Sequence, residues 1–345
     1  MKLRIGFIGV GSMGLSHVKS IQEGCFGRAE AVAICSNNES NIAKALAVAP
    51  QARVFSNEHE LIKSDVDAVF VSTPNFTHVP LALETLQAGK HLFLEKAVGV
   101  NREECLGLLK AADKTDRVLM IGHELRYSPY FQKIKELIDA GEIGTPRMVW
   151  CKELRGPFSK KSHDWIQDSR KSGGALVDKN CHHFDLMNWW VGSRPKRVCA
   201  FGGNTTGDAA VEHPILDHAT VSFEYENGVR GTLQLCMFAP ELQGEDLEMG
   251  IVGDRGIIQT RISKLQLLLW KRNAEKKEPL VYDVAAKRGE GWGKHLGFDE
   301  IHEAFIAAIL KNERPLTTVR DCVDGTLLAI AAEESIKQRT IVEVY

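Results

Sequence analysis

The sequence has almost no net charge, no C-x-x-C pair and no apolar run long enough to span a bilayer. Each absence removes a class of function. Forty-three Lys and Arg against 45 Asp and Glu leave a formal charge of −2, so nothing electrostatic points to nucleic acid or to an anionic membrane as a partner. A membrane-spanning helix needs about 20 consecutive, mainly apolar residues, and the sequence holds no such stretch. The eight cysteines, at 25, 35, 105, 151, 181, 199, 236 and 322, are scattered. Reduced thiols in a cytoplasm fit that pattern better than a disulfide framework. The chain opens on an apolar strand, so a removable signal peptide is not expected. Internal repeats and low-complexity segments are also missing. What remains is the composition of an ordinary globular protein, 44% hydrophobic and 26% charged. At 345 residues it is expected to divide into about two domains.

The most informative stretch is the beginning, Leu3-Arg4-Ile5-Gly6-Phe7-Ile8-Gly9-Val10-Gly11-Ser12-Met13-Gly14. An apolar strand runs into Gly9-x-Gly11-x-x-Gly14, after which Leu15, Val18 and Ile21 recur at helical spacing. Strand, glycine turn and helix are the context that a dinucleotide-binding fingerprint requires. Gly9 permits the tight turn, Gly11 lets the backbone approach a pyrophosphate, and Gly14 lets helix and strand pack closely. The helix N-terminus then presents free N–H groups to the phosphates. Gly9, Gly11, Ser12, Met13 and Gly14 are accordingly expected at the cofactor.

The second strand, Ala29–Cys35, ends in Ser36-Asn37-Asn38. An Asp or Glu here would hold the ribose 2′-OH of NAD. Ser36 neither does this nor repels a 2′-phosphate, and no Arg or Lys follows before Lys44. NAD is expected and NADP stays open, with Ser36 and Asn37 at the ribose. A third strand over 67–71 delivers Ser72-Thr73-Pro74-Asn75-Phe76-Thr77-His78, and a short one over 91–94 delivers Glu95-Lys96-Ala97. Ligands bind at the carboxyl ends of such strands. Taken alone, Asn75 reads equally as a turn residue and as a cofactor contact, and Lys96 reads first as a solvated lysine.

Further on, Gly173-Gly174 precedes Asp178, His182 and Asp185, which fall at i, i+4 and i+7 of one helical face. That arrangement suits a carboxylate orienting an imidazole, and equally a satisfied polar cluster at a helix start. A metal is not expected, because His182 and the adjacent His183 point about 100° apart on a helix. The remaining chain alternates. Ala219, Val221, Phe223 and Tyr225 share one side, and beyond Asn227-Gly228 so do Val229, Gly231, Leu233, Leu235 and Met237. This predicts a hairpin with a type I′ turn. Strands over 247–252, 257–261, 265–270 and 280–284 follow, then polar or glycine-rich loops at 271–278 and 285–295 and two late amphipathic helices.

The Gly9–Gly14 turn, Ser72-Thr73-Pro74-Asn75 with His78, Gly89-Lys90-His91 leading to Glu95-Lys96, and Gly-Gly-x3-Asp-x3-His-x2-Asp together resemble the Gfo/Idh/MocA family of sugar-type dehydrogenases. The family usually has Pro after Glu-Lys, and this chain has Ala97. Lys179 and Asn180 also fall where many relatives carry apolar and small residues. The resemblance implies an α/β protein: an NAD(P)-binding Rossmann domain over 1–122, then an α+β domain over 123–345 on an open, mainly antiparallel sheet. Its late helices would pack on both domains. It implies hydride transfer between NAD(P) and a secondary alcohol of a sugar or cyclitol. The same fold also serves redox-neutral glycoside hydrolases and non-catalytic NAD(P)-binding regulators. Carried over residue by residue, Lys96, Asp178 and His182 would be catalytic, and Thr73, Pro74, Asn75, His78, Glu95 and Lys96 would line the cofactor. Arg126, Tyr127, His163, Trp165 and His183 would join Lys96, Asp178 and His182 around the substrate. A cytoplasmic homo-oligomer, a dimer or tetramer formed through the sheet, completes the expectation.

Overall fold

The computed structural model describes residues 2–24, 27–158, 162–206, 212–240, 246–272, 277–284 and 296–345. Cys25, and residues 273–276 and 285–295 of the expected loops, lie outside these. The chain divides into two compact units: Met1–Glu124 with Phe298–Val323, and Leu125–Gly297 with Asp324–Tyr345. The cut falls two residues beyond 122, and the late helices are shared between the units. Among the described residues, the seven cysteines are free thiols and no helix is long and apolar enough to cross a membrane.

The first unit is a six-stranded sheet in which every pairing is parallel. Its elements are β1 (Leu3–Ile8), α1 (Ser12–Lys19), β2 (Ala29–Cys35), α2 (Glu39–Val48), β3 (Arg53–Phe55), α3 (Glu58–Ile62), β4 (Ala68–Val71), α4 (His78–Gln87), β5 (His91–Leu94), α5 (Arg102–Ala112) and β6 (Leu119–Ile121). The order β3-β2-β1-β4-β5-β6 reverses direction at β1 and β4, so ligands are expected beyond the carboxyl ends of these two strands. Strands buried on both faces read as continuous apolar runs, and Ala68-Val69-Phe70-Val71 is fully buried throughout. Asn38, Asn57 and Asn101 start α2, α3 and α5 by accepting backbone N–H groups on their side chains.

The second unit holds α6 (Pro129–Asp139), β7 (Pro146–Leu154), α7 (Ser169–Ser172), α8 (Cys181–Val191), β8 (Pro195–Gly203), β9 (His218–Tyr225), β10 (Arg230–Cys236), β11 (Leu247–Gly253), β12 (Gly256–Arg261), β13 (Gln266–Lys271) and β14 (Leu280–Asp283). Helix α9 (Phe298–Lys311) belongs to the first unit. Helix α10 (Val319–Gln338) begins there and continues in the second, which ends in β15 (Val342–Glu343). The nine strands form one sheet, in the order β14-β13-β12-β11-β7-β10-β9-β8-β15. All pairs are antiparallel except β7 with β10. Inward residues of β9 and β10 are buried and Thr220, Ser222, Thr232 and Gln234 are exposed, as alternation requires.

The turn between β9 and β10 differs from the expected type I′. Glu224 pairs with Arg230, so Glu226, Asn227 and Gly228 form a three-residue loop between Tyr225 and Val229. Only Gly228, at φ +86°, takes the left-handed conformation. A type I′ turn needs positive φ at both central residues, whereas a type I turn followed by a left-handed glycine needs one. The Gly228 N–H donates to the Tyr225 carbonyl at 3.0 Å and closes that turn.

Candidate active site

The glycine turn of the first unit has the geometry that its spacing predicts. Gly9 stands at φ +83°, and a Cβ there would lie 2.7 Å from the Ser72 carbonyl. A Cβ on Gly14 would lie 1.9 Å from the Gly9 carbonyl oxygen, so any side chain would push α1 off the turn. A Cβ on Gly11 would meet nothing within 4 Å, so this residue faces open space. It is also the N-cap of α1, with no side-chain capping bond and no acidic residue in the first turn. The N–H groups at this end are therefore available to an anion, and Ser12 and Met13 stand beside them. At the end of β2, Ser36 Oγ accepts the Asn38 N–H at 3.3 Å, while Asn37 is exposed.

The turn after β4 is built just as tightly. Thr77 Oγ1 donates within 2.6 Å of Thr73 Oγ1 and 2.7 Å of the Pro74 carbonyl, and Asn75 is buried. His78 is fully buried, with Nε2 2.9 Å from the Thr73 carbonyl and Nδ1 2.9 Å from the Ala97 carbonyl. Its polar atoms thus serve the backbone, tying the Thr73 turn to the loop that carries Lys96. Burial pushes its pKa below the ordinary histidine value, against the two carbonyls, which favour the charged ring. Glu95 is buried too. Burial alone would raise its carboxyl, but the hydrogen bond and charge of His17, aided by Lys96 and His78, bring it down to about 2. Glu95 Oε2 accepts the Lys96 backbone N–H at 3.1 Å, and Lys96 itself is half-buried. The Lys96–Ala97 peptide is cis.

In the second unit, Gly173 and Gly174 both hold positive φ, +85° and +107°. A Cβ on Gly174 would lie 2.3 Å from Glu333 Oε1. Leu176–Asn180 is then a π turn, from which α8 continues. This wider turn breaks the single α-helical register expected over Asp178, His182 and Asp185. Asp178 is buried within it and His182 is half-buried at the start of α8.

Asp185 has a partner of its own. Its carboxylate accepts Nε and Nη2 of Arg126, each at 2.7 Å, in a buried two-pronged ion pair. The Arg126 guanidinium also lies over the Trp189 ring, and Tyr127 is buried beside it in sequence. His183 is 2% exposed, with Nδ1 3.0 Å from Asn180 Nδ2 and 3.6 Å from Glu153 Oε2. Trp165 is half-buried in the 3₁₀ segment Ser162–Gln167. The side chain of His163, in the same segment, lies outside the described residues.

Two carboxylates escaped the sequence reading. Glu153 on β7 gathers Lys179 at 3.3 Å, Asn180 at 3.0 Å and Arg155 at 3.9 Å. Burial would raise its carboxyl, but Lys179, His183 and Arg155 hold it below the usual value. Thus Lys179 and Asn180, two of the three departures from the family pattern, share one buried partner. Glu333 on α10 accepts the Leu176 N–H at 3.1 Å, at the entrance of the π turn that holds Asp178. The signal for Glu153 was present: it follows Val149 and Cys151 on the inward phase of β7.

Residues 3–123 match the oxidoreductase family with an NAD-binding Rossmann fold, and residues 131–259 match the GFO/IDH/MocA C-terminal domain. The myo-inositol 2-dehydrogenase of Thermotoga maritima is 25% identical over 344 residues, covering 99% of this chain and 98% of that protein. The inositol 2-dehydrogenase of Rhizobium meliloti is 27% identical over 356 residues and is covered completely, as is this chain. Among solved structures, apo scyllo-inositol dehydrogenase from Lactobacillus casei superposes with a TM-score of 0.80 at 22% identity, over 99% of this chain and 98% of that one. An oxidoreductase from Agrobacterium radiobacter, in complex with NAD+, L-tartaric acid and magnesium, gives 0.84 at 17% identity, over 100% of this chain and 99% of that one. With both of its segments matched and a glycine turn shaped for a dinucleotide, the chain belongs to the GFO/IDH/MocA family of NAD-binding oxidoreductases.

Proposed function

We propose that this oxidoreductase interconverts a secondary alcohol and a ketone on a cyclitol or a closely related sugar. The observation that carries the reading is the Gly9–Gly14 turn, open at Gly11 and closed at Gly14, on a chain that aligns end to end with relatives named inositol 2-dehydrogenase. NAD supplies the hydride acceptor, held by the Gly9–Gly14 turn with Ser12 and Met13, by Ser36 and Asn37 at the ribose, and by Thr73, Pro74 and Asn75. His182 takes the hydroxyl proton, and Asp178 orients its ring and favours the imidazolium that forms. The Lys96 ammonium stabilises the developing alkoxide. Arg126 is held by Asp185 and His183 by Glu153, and both are assigned to the substrate's surroundings. Trp165, Tyr127 and His163 are assigned to the substrate's surroundings.

The test is a panel of cyclitols and sugars incubated with NAD or NADP, read by nicotinamide absorbance. The expected result is net reduction of NAD with at least one cyclitol. Binding of NADH without net turnover of any compound, together with cleavage of a glycoside, would replace the dehydrogenase reading with a redox-neutral one.

The same reading includes a homo-oligomer formed through the outer face of the large sheet. In register across that face run Trp270, Ile257, Val252 and Met148, with Trp270 and Met148 exposed. An apolar row beside the polar Thr232 and Gln234 suits an interface between copies.

A further inference from the structure

Behind Lys96 the first unit contains a continuous line of buried polar side chains. His17 Nε2 lies 2.8 Å from Glu95 Oε1, and His17 Nδ1 lies 2.8 Å from His302 Nε2 on α9. His302 Nδ1 lies 2.5 Å from the Phe298 carbonyl and 3.1 Å from Ser20 Oγ, which in turn donates to Asp299 Oδ1 at 2.8 Å. The line starts at the reactive loop and ends at an exposed carboxylate. His17 is 1% exposed and His302 0%. Their rings are enclosed by Phe70, Phe93 and Phe298 at centroid distances of 4.8–5.8 Å. No water reaches such a site cheaply, so each polar atom must be matched within the protein.

Counting donors fixes the hydrogens. The Phe298 carbonyl only accepts, so His302 Nδ1 carries a hydrogen. A further hydrogen lies between His17 Nδ1 and His302 Nε2, which stand 2.8 Å apart. The Glu95 carboxylate also only accepts, so His17 Nε2 carries a hydrogen as well. The two rings thus hold three hydrogens and one positive charge between them, which matches the Glu95 charge. Independently, burial and the His17 charge both push the His302 pKa well below the ordinary value. Glu95 then hands its second oxygen to the Lys96 N–H. The groups facing Glu95 are His17 from α1, Lys96, and His78 from α4. Gly122 completes the wall, where a Cβ would stand 3.1 Å from Oε1.

We propose that Glu95, His17 and His302 are positioning residues for Lys96: the paired carboxylate anchors the lysine's backbone and keeps its side chain an ammonium. Only the role given to Lys96 rests on the dehydrogenase reading; the line of contacts does not. Removing the Glu95 charge leaves His17 and Lys96 without the anion between them, so Lys96 should lose its proton at lower pH. Removing His302 takes one ring from the charged pair and leaves the Glu95 charge less fully matched, so Lys96 should hold its proton to higher pH.

The experiment follows the pH dependence of reductive methylation of Lys96 by peptide mass spectrometry in the whole protein. With Glu95→Gln, which removes the charge and keeps the side-chain length, the labelling midpoint is expected to fall by about one pH unit or more, the usual effect of one neighbouring charge. Glu95→Asp should restore most of it. With His302→Phe, which fits the aromatic box, the midpoint should rise. Loosened packing alone gives no such opposite pair. Midpoints that stay put in both variants, or that move the same way, would overturn the proposal. The readout needs no turnover, so shifted midpoints in a protein inactive on the whole panel would retain the relay and reject the function.

Discussion

Replacing Glu333 by Gln should make the protein more stable, and only towards alkaline pH. The Glu333 side chain is 5% exposed and accepts the Leu176 N–H at 3.1 Å. Burial raises its carboxyl from 4.5 to about 7, while the Leu176 N–H and Lys337 pull weakly the other way. An acid whose native pKa lies above its unfolded one binds the proton more tightly when folded. Its contribution to stability is therefore full at low pH and is lost as the pH rises from about 4.5 through about 7. A carboxyl moved from 4.5 to about 7 accounts for roughly 3 kcal/mol in total, most of it lost between pH 5 and pH 8. Gln is neutral throughout and still accepts the Leu176 N–H. Urea unfolding of both proteins at fixed ionic strength should give nearly equal stability at about pH 4, with the variant ahead by roughly 3 kcal/mol at pH 8. An identical pH slope in the two proteins would refute the reasoning, because the buried carboxyl would then not be titrating between those values.

Other expectations follow from the same contacts. Gly14→Ala puts a methyl 1.9 Å from the Gly9 carbonyl oxygen, so NADH titrated by fluorescence should no longer saturate, while NADH binding unchanged from wild type would remove the assigned turn. His182→Ala should lower kcat by about 10² to 10⁴, the usual size of general-base catalysis, with NADH affinity retained; a silent variant in steady-state kinetics would reject the assignment. His183→Ala opens the buried Glu153–Asn180 cluster, so it should lower the unfolding midpoint measurably, unlike a surface histidine. Light scattering should show an oligomer that Met148→Glu weakens, and a wild-type monomer at working concentration would exclude the sheet interface.

The first unit was legible because its strands are buried on both faces. Continuous apolar runs with glycine or polar ends set β1, β2 and β5 within the limits of the pattern. The strand β3 escaped because Arg53 and Val54 are exposed on an edge three residues long, where neither periodicity nor burial leaves a mark. The hairpin at Asn227-Gly228 shows a different limit. Its dipeptide is compatible with two turn types, and the choice between them depends on the pairing of Glu224 with Arg230, a long-range register that the dipeptide does not encode.

The site was legible as residue types and less so as partnerships. Spacing placed Asp178, His182 and Asp185 on one helix face on the assumption of about 3.6 residues per turn throughout. The π turn over Leu176–Asn180 violates that assumption, and the acceptor of its first N–H is Glu333, far away in sequence. The same holds for Glu95. Beside Lys96 it read as a cofactor contact, yet its oxygens belong to His17 and to the lysine's own backbone. His302 sits between Ile301 and Phe305 on the buried face of an amphipathic helix, a place where a titratable side chain must have a partner. A sequence reading that asked where each inward-facing His, Glu and Asp finds its match would have marked Glu153, His302 and Glu333. Which residue answers each of them is decided by packing between segments far apart in the chain, and only the folded structure pairs them.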